Sequence, residues 1–117
     1  MNQDDFRKRT KRFAIDIIVF VESLPKGRVP DVIGRQLLRA GTSVGANYRA
    51  ACRAKSKADF ISKMGTVEEE ADESVYWLEL LVETRIVSLE KVKHLMQEGN
   101  ELLAMTVASI NTARRSK

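Results

Sequence analysis

Arg35, Arg39, Arg49 and Arg53 recur at separations of four, ten and four residues, which keeps all four on one face of a helix turning every 3.6 residues. Thr42 and Ala46 fall between them, and the row runs about 27 Å at 1.5 Å per residue. Lys55, Lys57 and Lys63 carry positive charge onward into the next helical stretch. Guanidinium and ammonium groups in such a row suit phosphate oxygens, because each contact releases a condensed counterion and reads no base. The predicted chemistry is low-specificity binding of RNA or DNA. Its contacts are assigned to Arg35, Arg39, Arg49, Arg53, Lys55 and Lys57, supported by the basic opening Arg7, Lys8, Lys11 and Arg12.

A second charged stretch offers another use for the arginines. Glu68, Glu69, Glu70, Asp72, Glu73, Glu79 and Glu83 follow one another with no Lys or Arg between Thr66 and Thr84. Like charges at helical spacing repel, so these carboxylates call for cations from elsewhere. The alternative reading is a protein-protein interaction module in which the arginines meet Glu69, Glu70 and Glu73 across subunits, with no nucleic acid involved.

Other chemistries lack their residues. A dinuclear iron or manganese centre in a helix bundle uses a Glu-x-x-His pair on each of two helices. His94 is the single histidine, and Glu90 stands four residues before it, not three. Cys52 is the single cysteine, which leaves no internal disulfide and no multi-thiol metal site. It has no local nucleophile signature shared with His94, and no GxxxxGK[ST] loop is present to cradle a phosphate. Tyr48, Tyr76 and Trp77 lie in or near apolar helical faces, so they are expected to pack and not to stack bases. No catalytic residue, metal or cofactor is expected.

The elements that must place these side chains are all helical. The 117 residues include only two prolines and six glycines, a composition tilted toward helix, and one domain is expected at this length. The formal charge of +4 permits attraction to polyanions without requiring it. A lone cysteine fits a reducing cytoplasm. No apolar run approaches the roughly 18 residues of a membrane span. The amino end, basic then apolar, has the outline of an export leader, yet Asp16 interrupts it and no cleavage site precedes Leu24 and Pro25. It reads as the first helix.

Apolar spacing and turn residues predict helices over roughly 4–23, 31–54, 57–85 and 89–113. Phe6, Phe13, Ile17, Phe20 and Leu24 stripe the first. In the second, Ile33, Leu37, Ala40, Val44, Asn47, Ala51 and Ala54 share a face, with Asn47 its polar member. Gly41 and Gly45 beside that face predict close approach of a neighbouring helix. Phe60, Met64, Val67, Ala71, Ser74, Leu78 and Leu81 make the seam of the third, widened by Ile61, Val75, Trp77 and Val82. Leu89, Val92, Met96, Gly99, Leu103, Val107 and Ile110 make that of the fourth, and Arg114 to Lys117 close the chain as a basic tail. The predicted fold is all-α, an antiparallel up-down-up-down four-helix bundle. The apolar girth of the third helix further predicts that it is the most central of the set or buries a second face against another subunit.

Gln36-Leu37, Ala40, Ser43-Val44, Ala46-Asn47, Ser56, Phe60 and the acidic segment ending Trp77-Leu78-Glu79-Leu80 resemble, in order and spacing, the bacterial four-helix bundle proteins encoded within intervening sequences of 23S ribosomal RNA genes. The resemblance covers nearly the whole chain. It implies a left-handed bundle, a ring-like homopentamer and a nucleic-acid association. A related branch, the accessory variability protein of diversity-generating retroelements, is a basic pentamer that joins a reverse transcriptase, which makes such a protein a further implied partner. Many members have an acidic residue and a glycine soon after the Asn, whereas this chain has Tyr48, Arg49, Ala50, Ala51 and Cys52. That departure makes its second helix more basic.

Overall fold

Asn2 opens the first helix, its Oδ1 accepting the amide N–H groups of Asp4 at 2.8 Å and Asp5 at 3.3 Å. Two of the donors that every helix leaves free at its start are thereby satisfied. The computed structural model describes residues 2–116. They form α1 (Gln3–Glu22), α2 (Arg28–Cys52), α3 (Lys57–Glu83) and α4 (Leu89–Arg115), and no strand occurs among the described residues. Arg114 and Arg115 of the expected basic tail continue α4, and Lys117 lies outside the described residues.

α2 differs from expectation at both ends. It starts at Arg28, with Gly27 at φ 156° turning the chain into it. Pro30 is accommodated because an amide N–H in the first turn has no partner to lose. Its end comes at Cys52, where Arg53 and Ala54 donate to the carbonyls of Ala50 and Ala51 at 3.1 and 3.0 Å in tighter turns. Ala54 therefore leaves the helical face on which it was expected to pack.

The next two boundaries follow from capping chemistry. Ser56 Oγ accepts the Asp59 amide at 3.0 Å while Asp59 Oδ2 accepts the Lys55 amide at 3.1 Å, a reciprocal cap at the start of α3. At its other end Arg85 adopts φ 63°, the Arg85 and Ile86 amides donate to Val82 and Leu81 at 2.9 and 3.0 Å, and the chain reverses.

α1 and α2 run in opposite directions. Gly34 lies beside Val21 and Leu24, Gly41 beside Ile17, and Gly45 beside Thr10, so α2 descends as α1 rises. Gly99 of α4 lies against Val75 of α3. The α1 backbone runs close to α2 and α4 but not to α3, which places α1 and α3 on a diagonal of the bundle. The molecule measures 50 × 20 × 20 Å.

One apolar core fills the interior. Phe6, Phe13, Ile17, Leu37, Val44, Met64, Val67, Leu78, Leu81, Val92 and Leu102 are fully or almost fully buried in it, and each such side chain contributes about 1.5–3 kcal/mol when removed from water. Thr10, Ser74 and Thr106, also buried, donate to the carbonyls of Arg7, Glu70 and Leu102 at 3.1, 2.8 and 2.7 Å. No polar atom of these three is orphaned.

The α4 seam is rotated from the predicted one. Leu95, Leu102 and Thr106 are buried, while Leu89 is half exposed and Val107 is also at the surface. Leu102 and Leu103 sit side by side in sequence, and spacing alone does not choose between them. Tertiary packing buries Leu102 and leaves Leu103 partly exposed, while Gly99, common to both seams, leaves room for Val75 and the Phe13 ring.

Candidate nucleic-acid interface

Glycine at position 45 shapes the most basic groove of the molecule. A Cβ there would stand 3.2 Å from Thr10 Oγ1 and 3.4 Å from the Thr10 carbonyl carbon, so α1 and α2 approach almost backbone to backbone. Ala14, Thr42 and Ala46 are small too, and the groove between the helices stays open, with a volume of about 400 Å³. Arg7 and Lys11 from α1, with Arg49 and Arg53 from α2 and its end, stand around it. No acidic residue lines it.

None of these four cations joins an ion pair among the described residues. Two unit charges one helical turn apart repel by about 0.8 kcal/mol in water, and the attraction of a bound polyanion would offset that repulsion. Arg7 Nε is buried and lacks a hydrogen-bond partner among the described residues. Tyr48, edge-on to Phe6 at 4.6 Å between ring centres, lies close by. Burial, reinforced by the Cys52 thiol, pushes its phenol well up and outweighs the opposing charge of Arg7. It stays neutral at pH 7 and adds no negative charge to the groove.

The remaining predicted contacts are dispersed. Arg35 is exposed and pairs with Asp31 one turn back at 3.2 Å. Arg39 turns toward α3, where it reaches Glu70 at 3.0 Å and also bonds Glu73; Glu73 chiefly, then the charge of Glu70, raises its pKa. It is therefore occupied within its own chain, where its single positive charge is shared between Glu70 and Glu73. Lys55 is exposed in the turn before α3. Lys57 is exposed as well, with Nζ on the Ser116 carbonyl. Glu69 is exposed and forms no ion pair among the described residues.

Asn47 differs from its expected place on the seam. It is half-buried, and Nδ2 donates to the Ser43 carbonyl of its own helix at 2.8 Å. The buried position nearby belongs to Tyr48. A further cross-link, between Arg9 and the carboxylates of Glu98 and Glu101 at 2.6 and 3.0 Å, is absent from the sequence reading. It spans the loosely packed α1–α4 side, and the hydrogen bond that Arg9 donates to Glu98 chiefly raises the Arg9 pKa. Its signal was weak because Arg9 sits among four other basic residues in the first helix.

Among the described residues no three His, Cys, Asp or Glu side chains converge to hold a metal ion. No described helix is long and apolar enough to cross a membrane. The family model for 23S rRNA-intervening sequence proteins matches residues 3–108. The chain belongs to that family. The chain is also similar to a solved structure, a crystal structure at 1.70 Å of a protein of unknown function from the S23 ribosomal protein family of Bacteroides thetaiotaomicron. The two share 33% identity over 95% of this chain and 99% of that one, with a TM-score of 0.87. No curated protein matches the intervening sequence protein.

Proposed function

We propose that the protein is a non-enzymatic, cytoplasmic scaffold that binds RNA or DNA with little sequence specificity through phosphate contacts in the α1–α2 groove. The observation that carries this is the set Arg7, Lys11, Arg49 and Arg53 around a floor of small residues with no carboxylate among them. Lys55 and Lys57 extend the positive field beyond the end of α2, whereas Arg39 is committed to α3. The names of the family and of the similar structure, which refer to 23S rRNA and to a ribosomal protein family, are in keeping with an RNA ligand.

The scaffold is proposed to be a homopentamer, as the resemblance implies. Ile15, Ile18 and Val19 on α1 and Val29, Val32 and Leu38 on α2 are exposed apolar side chains that favour self-association. A second reading is favoured by the outer face of α3, where Glu69, Asp72, Glu79 and Glu83 are exposed without cationic partners among the described residues. In that reading Arg49 and Arg53 meet these acids on another subunit.

Arg49→Glu combined with Arg53→Glu separates the two. Binding of wild-type protein to duplex DNA should fall with salt by about 0.9 logarithmic units per phosphate neutralised, and the double variant should flatten that slope while keeping its solution mass. A variant that loses its oligomeric state first supports the subunit pairing. Unchanged affinity, slope and mass would remove both readings of these arginines.

A further inference from the structure

Resting on the phosphate-binding reading above, we infer that the α1–α2 groove is built for one extended single strand of nucleic acid laid along its length, in preference to a duplex. Its cations are arranged as rungs. The contacts of Thr10 with Gly45 and of Ile17 with Gly41 set the antiparallel register of the two helices. In that register Arg7 is level with Arg49, Lys11 lies one turn toward Gly41, and Arg53 lies one turn the other way. Three levels of positive charge thus follow one another at about one helical pitch, 5.4 Å, a step comparable with that between neighbouring phosphates on an extended strand.

The shape of the groove selects the ligand. Two helices packed through glycine have axes about 8–10 Å apart, and the channel between them is straight. An extended strand can follow it and place a phosphate at every rung. The backbone of a duplex is a curved ridge, which meets a straight channel at one or two rungs before it turns away. Past Lys11 the floor continues through Ala14 and Thr42 toward Ile18 and Leu38, both exposed and apolar. The charged track therefore ends after three levels. With no exposed aromatic among the groove residues, bases point outward and are not read, so recognition belongs to the backbone alone.

The arrangement sets a measurable footprint. Three phosphates on a single strand correspond to a salt slope of about −2 per occupied groove. The test is fluorescence anisotropy with a labelled oligothymidylate of about ten nucleotides, within the range of single-strand site sizes, against the same strand annealed to its complement. Wild-type protein is compared with Ala46→Glu and Ala46→Gln, which alter an exposed groove residue beside Lys11 and remove no cation.

Wild-type protein should bind the single strand about fivefold or more tighter than the duplex; Ala46→Glu should weaken it about tenfold and Ala46→Gln less than about threefold, with helical dichroism and melting unchanged in both. Equal or tighter binding of the duplex overturns the inference and leaves the phosphate-binding reading standing. Equal binding by the Glu and Gln variants, when both are folded, overturns the inference together with the placement of the phosphate contacts in this groove. Failure of wild-type protein to bind either form in low salt overturns both.

Discussion

Gly41 lies under Ile17 so closely that a Cβ at that position would fall 2.9 Å from both Cγ1 and Cγ2 of the isoleucine. Ile17 is fully buried and branched at Cβ, so it has no room to withdraw. Gly41→Ala gains about 1 kcal/mol of helix propensity but incurs about 1–3 kcal/mol of overpacking. The variant should be destabilised. Gly65, in α3, has nothing within 4 Å of its absent Cβ, and Gly65→Ala should stabilise by up to about 1 kcal/mol. Denaturant melts of the two variants should therefore shift in opposite directions, and a common direction would refute the packing account.

Arg39 should behave as a structural residue and Arg35 as a surface one. Glu70 keeps only 13% of its side-chain surface exposed beside Arg39, whereas Arg35 and Asp31 are both largely in solvent. Arg39→Ala leaves a mostly buried carboxylate without its partner and should lower the melting temperature more than Arg35→Ala does. Neither should change nucleic-acid affinity appreciably, since neither lines the groove. Equal melting temperatures would place Arg39 among the dispensable surface charges.

Asp59 gives the fold a defined acid sensitivity. The hydrogen bond from Lys63, with that from the Lys55 amide, lowers its pKa below the ordinary value of 3.8. A carboxylate depressed on folding contributes stability that is fully present above the unfolded value and lost as pH falls through the folded one. The melting temperature of wild-type protein should exceed that of Asp59→Asn at neutral pH. The gap should narrow below the ordinary aspartate range, and a gap independent of pH would exclude the carboxylate as its source.

Asn47→Leu should have a small effect on the folding of the chain. The amide donates to the Ser43 carbonyl of its own helix, and that carbonyl is in place for the ordinary helical bond from the Asn47 backbone. No buried group is orphaned by the change, so stability should stay within about 1 kcal/mol of wild type. A loss of several kcal/mol in chemical denaturation would show that the side chain has a partner beyond its own helix.

Helix number, approximate extent and most core positions follow from sequence alone, because they depend on contacts within a few residues. Phe6, Phe13, Ile17 and Phe20 on α1 recur at helical spacing, as do Met64, Val67, Ala71, Ser74, Leu78 and Leu81 on α3, and both sets are buried. The Gly41 and Gly45 pair likewise announces close helix packing before any partner is known. What sequence leaves open is rotation and pairing. Leu102 and Leu103 are equally apolar and both follow Gly99 by about one turn, and only packing against the other helices turns Leu102 inward. Arg35, Arg39, Arg49 and Arg53 share one periodicity, yet tertiary packing divides them: Arg39 meets carboxylates on α3, while Arg49 joins Arg7 and Lys11 across the α1–α2 groove. Periodicity places a side chain on its own helix. The neighbour it meets depends on the register between helices, which short-range spacing does not encode.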